Sequence, residues 1–483
     1  MKRIFSLLLV LCTVLCLCAC NKSETPQAGA QAGGFQVGYA RVNITPQGYD
    51  VPLAGYGNTS ERMSEGFLDY IYATCIAITD ENDSTVLLIT TDLIAVQTFM
   101  VERLRNSITE ATGIPADRIM MQGTHTHSAP DLYNGDPSIM KYRDEYVAGV
   151  TQAAVDALAD RSPATMEVAK SYTENLNFVR HYTTTSGQLF GDNLVKVGEI
   201  TGHYSDPDNQ IQVILFKRAA EGKKDILAVN WQCHPKLNSS GETSDGKAKR
   251  GMISADYIGG ARDYVEKNSD VLFAFYLGAA GNLNANSKTP SENYSTDCAT
   301  YSAKLGEYIL EAANNTTPVE GTQVKSTQQM YELEIDHSED HLVPDATVVS
   351  NVWQTTNNYS QAMSACTNPA IGSPYHAGSI ISRANNTEGT REIEINAISV
   401  GNAIGFITAP YEMFDVNGMF IKENSPFETT FIMTCANGGN NYIAAQYAFD
   451  GGGTYEVHNR TFPAGSAEEL ADAYVAMLNS LAG

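Results

Sequence analysis

Two histidines separated by a single residue, His125 and His127 in Gly-Thr-His-Thr-His-Ser-Ala-Pro, follow the apolar run Ile119-Met120-Met121. In an extended backbone, residues i and i+2 point to one face, so the two imidazoles are expected to aim at one spot. Neutral imidazole is the commonest protein ligand for zinc; the alternative is a pair of hydrogen-bonded loop histidines. Three further segments put a candidate ligand at the end of an apolar stretch: His234 in Asn-Trp-Gln-Cys-His-Pro, Glu412 in Thr-Ala-Pro-Tyr-Glu-Met, and Tyr442 in Gly-Gly-Asn-Asn-Tyr-Ile. Read alone, His234 is a ligand or a capped core histidine, Glu412 an ordinary polar residue and Tyr442 a core aromatic. A phenolate is an uncommon zinc ligand, although a divalent cation favours deprotonation of what it coordinates.

The elements that must position these side chains follow from hydrophobic periodicity. Strands are expected at 35–42, 71–79 and 86–91, the last ending in Thr91-Asp92, and helices at 101–112 and 140–160. Strands at 211–217 and 226–233 follow, the second running directly into His234-Pro235. A helix at 254–267 then leads to a buried strand at 271–277 that delivers Gly278-Ala-Ala-Gly-Asn282. Beyond a helix at 300–313, a strand is expected at 323–335, a strand pair at 393–408 turning at Gly401-Asn402, and a helix at 467–481; 345–365 is ambiguous. Strands alternating with helices predict an α/β fold, a mixed β-sheet core sandwiched by helices with the metal site at strand ends. There is no internal repeat, and no membrane-spanning segment is expected after the leader.

The chain opens with Met-Lys-Arg and an apolar run at 4–17, the pattern of a secretory leader and short for a bilayer span. Leu17-Cys18-Ala19-Cys20 resembles a bacterial lipobox, which makes residues 1–19 a lipoprotein signal peptide and Cys20 the lipidated residue; an ordinary cleaved leader is the alternative. Residues 20–34 have almost nothing to bury and read as a flexible tether, leaving 35–483 as one globular domain. At 43% hydrophobic and 18% charged, that domain has material for a large core. A net charge of -24 argues against nucleic acid as a partner and gives no basic patch for anionic phosphates. The five cysteines after Cys20, at 75, 233, 298, 366 and 435, cannot all pair and read as small buried apolar groups. Strand alternation would turn Cys233 away from His234.

In their order along the chain, these motifs resemble the neutral, non-lysosomal ceramidases. The resemblance rests on the two-histidine segment, Asn-Trp-Gln-Cys-His-Pro, Phe-Tyr-Leu-Gly-Ala-Ala-Gly-Asn-Leu-Asn, Ala-Pro-Tyr-Glu, and Asn-Tyr-Ile with Tyr455-Glu456. The openings Tyr39-Ala-Arg-Val-Asn-Ile-Thr-Pro and Leu53-Ala-Gly-Tyr-Gly-Asn are similar as well, so the likeness runs from about 35 to 458. It implies the family's catalytic domain, with the smaller C-terminal β-domain expected to be missing. It also implies that His125, His234, Glu412 and Tyr442 hold one zinc, that His127, Arg180 and Tyr455 surround the reacting carbonyl, and that Gly55 lines the entrance. The implied activity is hydrolysis of the N-acyl amide of ceramide or a similar N-acylated lipid by metal-activated water, at a membrane reached through the Cys20 anchor. The chain departs from the family at Asn284-Ala285-Asn286, where a serine is usual; an asparagine there can contact substrate but cannot be acylated. That departure keeps two alternatives in play: a zinc hydrolase of another amide or ester, such as a glycan or cell-wall acyl group, and a non-catalytic ligand-binding lipoprotein.

Overall fold

Strands Tyr72–Thr79 and Thr85–Thr91 are buried almost without interruption, because both of their faces are covered. From Tyr72–Thr79, Ala73, Cys75 and Ala77 pack under helices while Ile76 and Ile78 point the other way, into a separate core. The computed structural model describes residues 34–56, 62–192, 197–289, 293–451 and 454–482. The expected leader and Cys20 lie outside the described residues, as does nearly all of the tether.

Among the described residues the larger sheet is nine-stranded and mixed. Its order is Val271–Leu277, Asp225–Trp231, Gln210–Arg218, Ser162–Tyr172, Gln36–Asn43, Tyr72–Thr79, Thr85–Thr91 and Ile119–Gly123, with Thr317–Val319 also pairing to Ser162–Tyr172. Helices Thr98–Thr112 and Pro137–Ala159 cover one half of its outer face, and Tyr257–Asn268 and Cys298–Ala313 the other. Among the described residues, the core on the inner face includes no helical side chain. That face packs on a second sheet, ordered Val324–Glu334, Thr390–Val400, Ile404–Ala409 and Thr429–Thr434, through a shared core that includes Val37, Ile76, Phe216, Phe406 and Phe431. The outer face of this second sheet is covered by helices Asp415–Asn424 and Ser466–Ala482. The α/β expectation holds, but the single sheet between helices becomes two sheets face to face with helices outside. Strand Thr429–Thr434, half of it threonine, carries no clear apolar signal, yet it forms the edge of the second sheet beside Ile404–Ala409.

The ambiguous segment folds as helices Val343–Thr356 and Tyr359–Ser364, followed by Pro374–Ala384 with Ser373 as N-cap. This helical insert has a small core of its own around Leu342, Val349 and Ile380. No helix among the described residues is long and apolar enough to cross a membrane.

Three strand pairs within the two large sheets are parallel: Thr85–Thr91 with Ile119–Gly123, Asp225–Trp231 with Val271–Leu277, and Ile404–Ala409 with Thr429–Thr434. Their carboxyl ends meet. The fully buried amide of Gln122 donates to Leu277 O and Thr434 O, both at 2.7 Å, and Asn230 donates to Tyr276 O at 2.8 Å and Ile432 O at 2.9 Å. These amides satisfy buried carbonyls and tie the two sheets together where the chain leaves the strands.

Phe431 is fully buried between the sheets, its ring 5.5 Å from Phe406 and 6.0 Å from Tyr276. Phe431→Ala is expected to cost about 3–5 kcal/mol, read as a lower midpoint in chemical denaturation; a change within ±0.5 kcal/mol would mean that the inter-sheet core does not hold the fold.

Candidate metal centre and active site

The strand leading to the two histidines ends at Gly123, and His125 turns into the left-handed region at φ 68°. Backbone bonds from Thr124 N to Thr91 O and from His125 N to Leu93 O, both 2.8 Å, hold this turn. The two rings do come together, with centroids 5.1 Å apart, but by this turn and not by strand alternation. A non-glycine residue at positive φ costs energy, and such residues cluster where geometry serves a site.

His125 places Nδ1 2.8 Å from Ile94 O, and His234 places Nδ1 2.9 Å from Ala280 O. A carbonyl only accepts, so each Nδ1 carries the proton and each Nε2 presents a lone pair. Those two Nε2 atoms lie 3.2 Å apart, and Glu412 Oε2 lies 3.2 Å from each. Two lone pairs and a carboxylate oxygen at this separation repel unless a proton or a cation joins them. Without a cation, burial opposes charge on His125 but Glu412 and Cys435 overcome it, so its pKa rises well above the usual imidazole value. Burial likewise pushes the Glu412 carboxyl up, but His125 and His234 hold it well below the usual range. Burial and then Arg180 bring His234 down to about 3, leaving it neutral and able to bind metal near pH 7.

His127 joins this group. Ligand atoms of His125, His127 and His234 all lie within 4.8 Å of one another, and both ring nitrogens of His127 are buried without a hydrogen-bond partner. Burial, then His125 and His234, keeps it neutral. Orphaned imidazole nitrogens beside convergent lone pairs fit a bound cation. Cys435, expected to be filler, puts Sγ 3.4 Å from His125 Nδ1 and so belongs to the site's surroundings, whereas Cys233 packs into the core beneath helix Tyr257–Asn268. All five cysteines are free.

Glu412 and Tyr442 face each other across a short parallel pairing. The Tyr442 hydroxyl accepts from Arg180 Nη2 at 3.2 Å, and the same nitrogen donates to Gly281 O at 2.7 Å. Arg180 Nε meets Glu456 Oε1 at 2.6 Å, and His181 Nε2 lies 2.9 Å from Glu456 Oε2. Burial opposes charge on both partners, yet each holds the other ionised. Glu456 thus fixes Arg180, a role that sequence reading missed although it quoted the Tyr455-Glu456 pair. A side chain at Gly281 would come within 2.7 Å of Glu412 O, so the Gly-Ala-Ala-Gly-Asn loop can pass the site only with glycine there. The strand-end acid Asp92 is structural, pairing with buried Arg262 at 2.7 Å.

A cavity of about 650 Å³ opens over this centre, lined by Gly55, His127, Arg180, His234, Tyr442 and Tyr455, with Trp353 and Tyr375 contributed by the helical insert. Gly55, at φ 103°, brings its backbone against His127, where a Cβ would sit 2.6 Å from the His127 Cβ. Asn284 does not line this cavity. It borders a smaller one of about 140 Å³, also bounded by His234 and Lys236, and its Nδ2 donates to Asp192 at 3.3 Å. Its expected substrate contact is therefore to a side pocket.

Residues 35–385 match the family described as neutral/alkaline non-lysosomal ceramidase, N-terminal. The chain belongs to this family. Among solved structures it is similar in fold to the neutral ceramidase from Pseudomonas aeruginosa, with TM-score 0.68 and 18% identity over 93% of this chain and 75% of that one. It is also similar to a ceramidase complexed with C2, with TM-score 0.69 and 16% identity over the same shares. A search of the curated proteins gave no match.

In this ceramidase-family chain Arg180 is buried and neutralised mainly by Glu456. Glu456→Ala is expected to destabilise the fold by about 3–5 kcal/mol, since it strands a buried charge, and Glu456→Gln by less; equal stability of Glu456→Ala and the parent in urea would remove the pair from the account.

Proposed function

We propose that the chain is a zinc-dependent amide hydrolase that cleaves the N-acyl bond of ceramide or a similar N-acylated lipid. The carrying observation is the convergence of His125 Nε2, His234 Nε2 and Glu412 Oε2 at 3.2 Å beneath the cavity. Family membership supports the amide hydrolase class, and imidazole with carboxylate suits zinc among the common divalent cations.

We assign His125, His234, Glu412 and Tyr442 as the zinc ligands. Metal-binding histidines almost always donate their other N–H to an oxygen acceptor, as His125 and His234 do here; His127 has no such anchor. It lines the cavity and stays neutral, so its role is to take a proton and pass it to the leaving amine. Zinc held by these residues would supply Lewis acidity toward an amide carbonyl and would lower the pKa of water toward neutrality. Arg180, kept charged by Glu456, and Tyr455, whose phenol burial keeps protonated, donate hydrogen bonds toward the developing oxyanion. Such donors are typically worth about 3 kcal/mol each. Asn284 stands where the resemblance expects a serine and cannot be acylated, so we assign water as the nucleophile.

Lipid on Cys20, with 20–34 as the leash, would hold the 35–483 domain on the outer side of a bacterial membrane, where its substrate resides. One acyl chain binds membranes only marginally, so two or three are expected. Cys20→Ser should release the protein into the medium; its retention on membranes would point to another anchor.

His234→Ala should lose bound zinc and amide hydrolysis together. His127→Ala should keep most of the zinc while turnover falls about 10²–10⁴-fold. Metal analysis and mass-spectrometric assay on ceramide, N-acyl amino acids and acetylated sugars read both. Full zinc content and unchanged hydrolysis in His234→Ala would make the ligand set wrong, and hydrolysis confined to acetylated sugars would shift the substrate class.

A further inference from the structure

The chain carries a net charge of -24, yet among the described residues the cavity over the candidate centre is lined by four cationic side chains, Arg62, Arg180, Lys236 and Arg250, and by no carboxylate. Arg180 is balanced by Glu456. The other three have no carboxylate in ion-pair contact among the described residues. Arg62 is held in place by donating to three backbone carbonyls, Ala54 O at 2.9 Å, His127 O at 2.7 Å and Arg250 O at 3.1 Å, bonds that fix its charge without neutralising it. The guanidinium carbons of Arg62 and Arg250 lie 4.8 and 4.7 Å from the centroid of the same Tyr56 ring. Attraction to the aromatic face offsets part of the repulsion between these two cations, but an anion between them would offset far more. Lys236, two residues after His234, borders both this cavity and the adjoining small one.

A neutral amide gains little from this arrangement. A cavity wall of one sign focuses field and raises the local concentration of the opposite sign. The hydrocarbon chain of an N-acylated lipid bears no charge, so an anion can reside only on the amine side of the scissile bond. We propose that the substrate carries there a small fixed anion, a carboxylate or a sulfonate, held by Lys236 and Arg250 with Arg62 behind them. This rests on the amide-hydrolase reading above and narrows its substrate class from ceramide, which is uncharged on that side, to N-acylated lipids that bear an anion there. It also draws on a cationic wall that total charge does not reveal.

Three amides with one acyl chain test it on the full-length zinc-loaded protein: N-lauroylglycine with a carboxylate, N-lauroyltaurine with a sulfonate, and N-lauroylethanolamine with a neutral hydroxyl. Binding by calorimetry and kcat/KM are both measured, with laurate as a fourth ligand. At least one anionic amide should bind about tenfold or more tightly than the ethanolamide, a preference that weakens as salt is raised. In Lys236→Gln with Arg250→Gln the ratio of affinities should fall toward one, and Lys236→Arg should retain it. The glycine and taurine arms tell carboxylate from sulfonate. Equal binding of all three amides overturns the inference, and cleavage of the ethanolamide would then leave the amidase reading standing. Laurate binding as tightly as either anionic amide also overturns it, since the cations would then serve the released carboxylate. If no amide is cleaved but the anionic pair still binds selectively, the amidase reading fails and anion recognition stands.

Discussion

Two imidazole lone pairs and a carboxylate oxygen, mutually 3.2 Å apart and almost cut off from water, form an arrangement that only a positive charge among them can stabilise. Everything around it serves that constraint. Ile94 O and Ala280 O fix the tautomers so that both Nε2 atoms point inward. The positive φ of His125 and the glycines at 55 and 281 are local costs accepted so that backbone and rings can approach this closely.

The fold meets the constraint by bringing together the carboxyl ends of three parallel strand pairs, two in the larger sheet and one in the second. Each of the candidate ligands follows such an end: His125 after 123, His234 after 231, Glu412 after 409 and Tyr442 after 434. Gln122 and Asn230 bond across to carbonyls of neighbouring strands, and Asn437 Oδ1 accepts from Met121 N at 2.9 Å. Polar side chains in such a core are stabilising only when fully paired, and here the pairing sets where the strand ends lie relative to one another. Arg180 and Glu456 extend the same logic outward: the carboxylate keeps a buried guanidinium charged, and the guanidinium orients the Tyr442 hydroxyl.

Sequence patterns found the elements whose burial is uniform. Strand Val271–Leu277 was read to the residue because its apolar run is bounded by Asp270 and Gly278. Strand Ser162–Tyr172 escaped because only Met166 and Val168 are buried hydrophobics among its eleven residues, too few to mark a strand. The helical insert stayed ambiguous because Val343–Thr356 buries only Ala346, Val349 and Ser350, too little for a clear stripe. Candidate ligands were visible as residue types at strand ends, but pairwise electrostatics were not. Glu456 lies 276 positions from Arg180, and Arg62 lies 188 positions from the Arg250 carbonyl it bonds. Total charge concealed the cationic wall for the same reason, since it sums over a surface that the fold divides.

The central claim is that a zinc ion replaces the proton shared among these groups. Crystals of the protein grown with zinc, with anomalous data collected on either side of the zinc edge, test this most directly. The account predicts one strong edge-dependent peak about 2.0–2.2 Å from His125 Nε2, His234 Nε2 and a Glu412 oxygen. A fully ordered site with no such peak, its Nε2 atoms still about 3 Å apart and bridged only by a proton or a water, would contradict it.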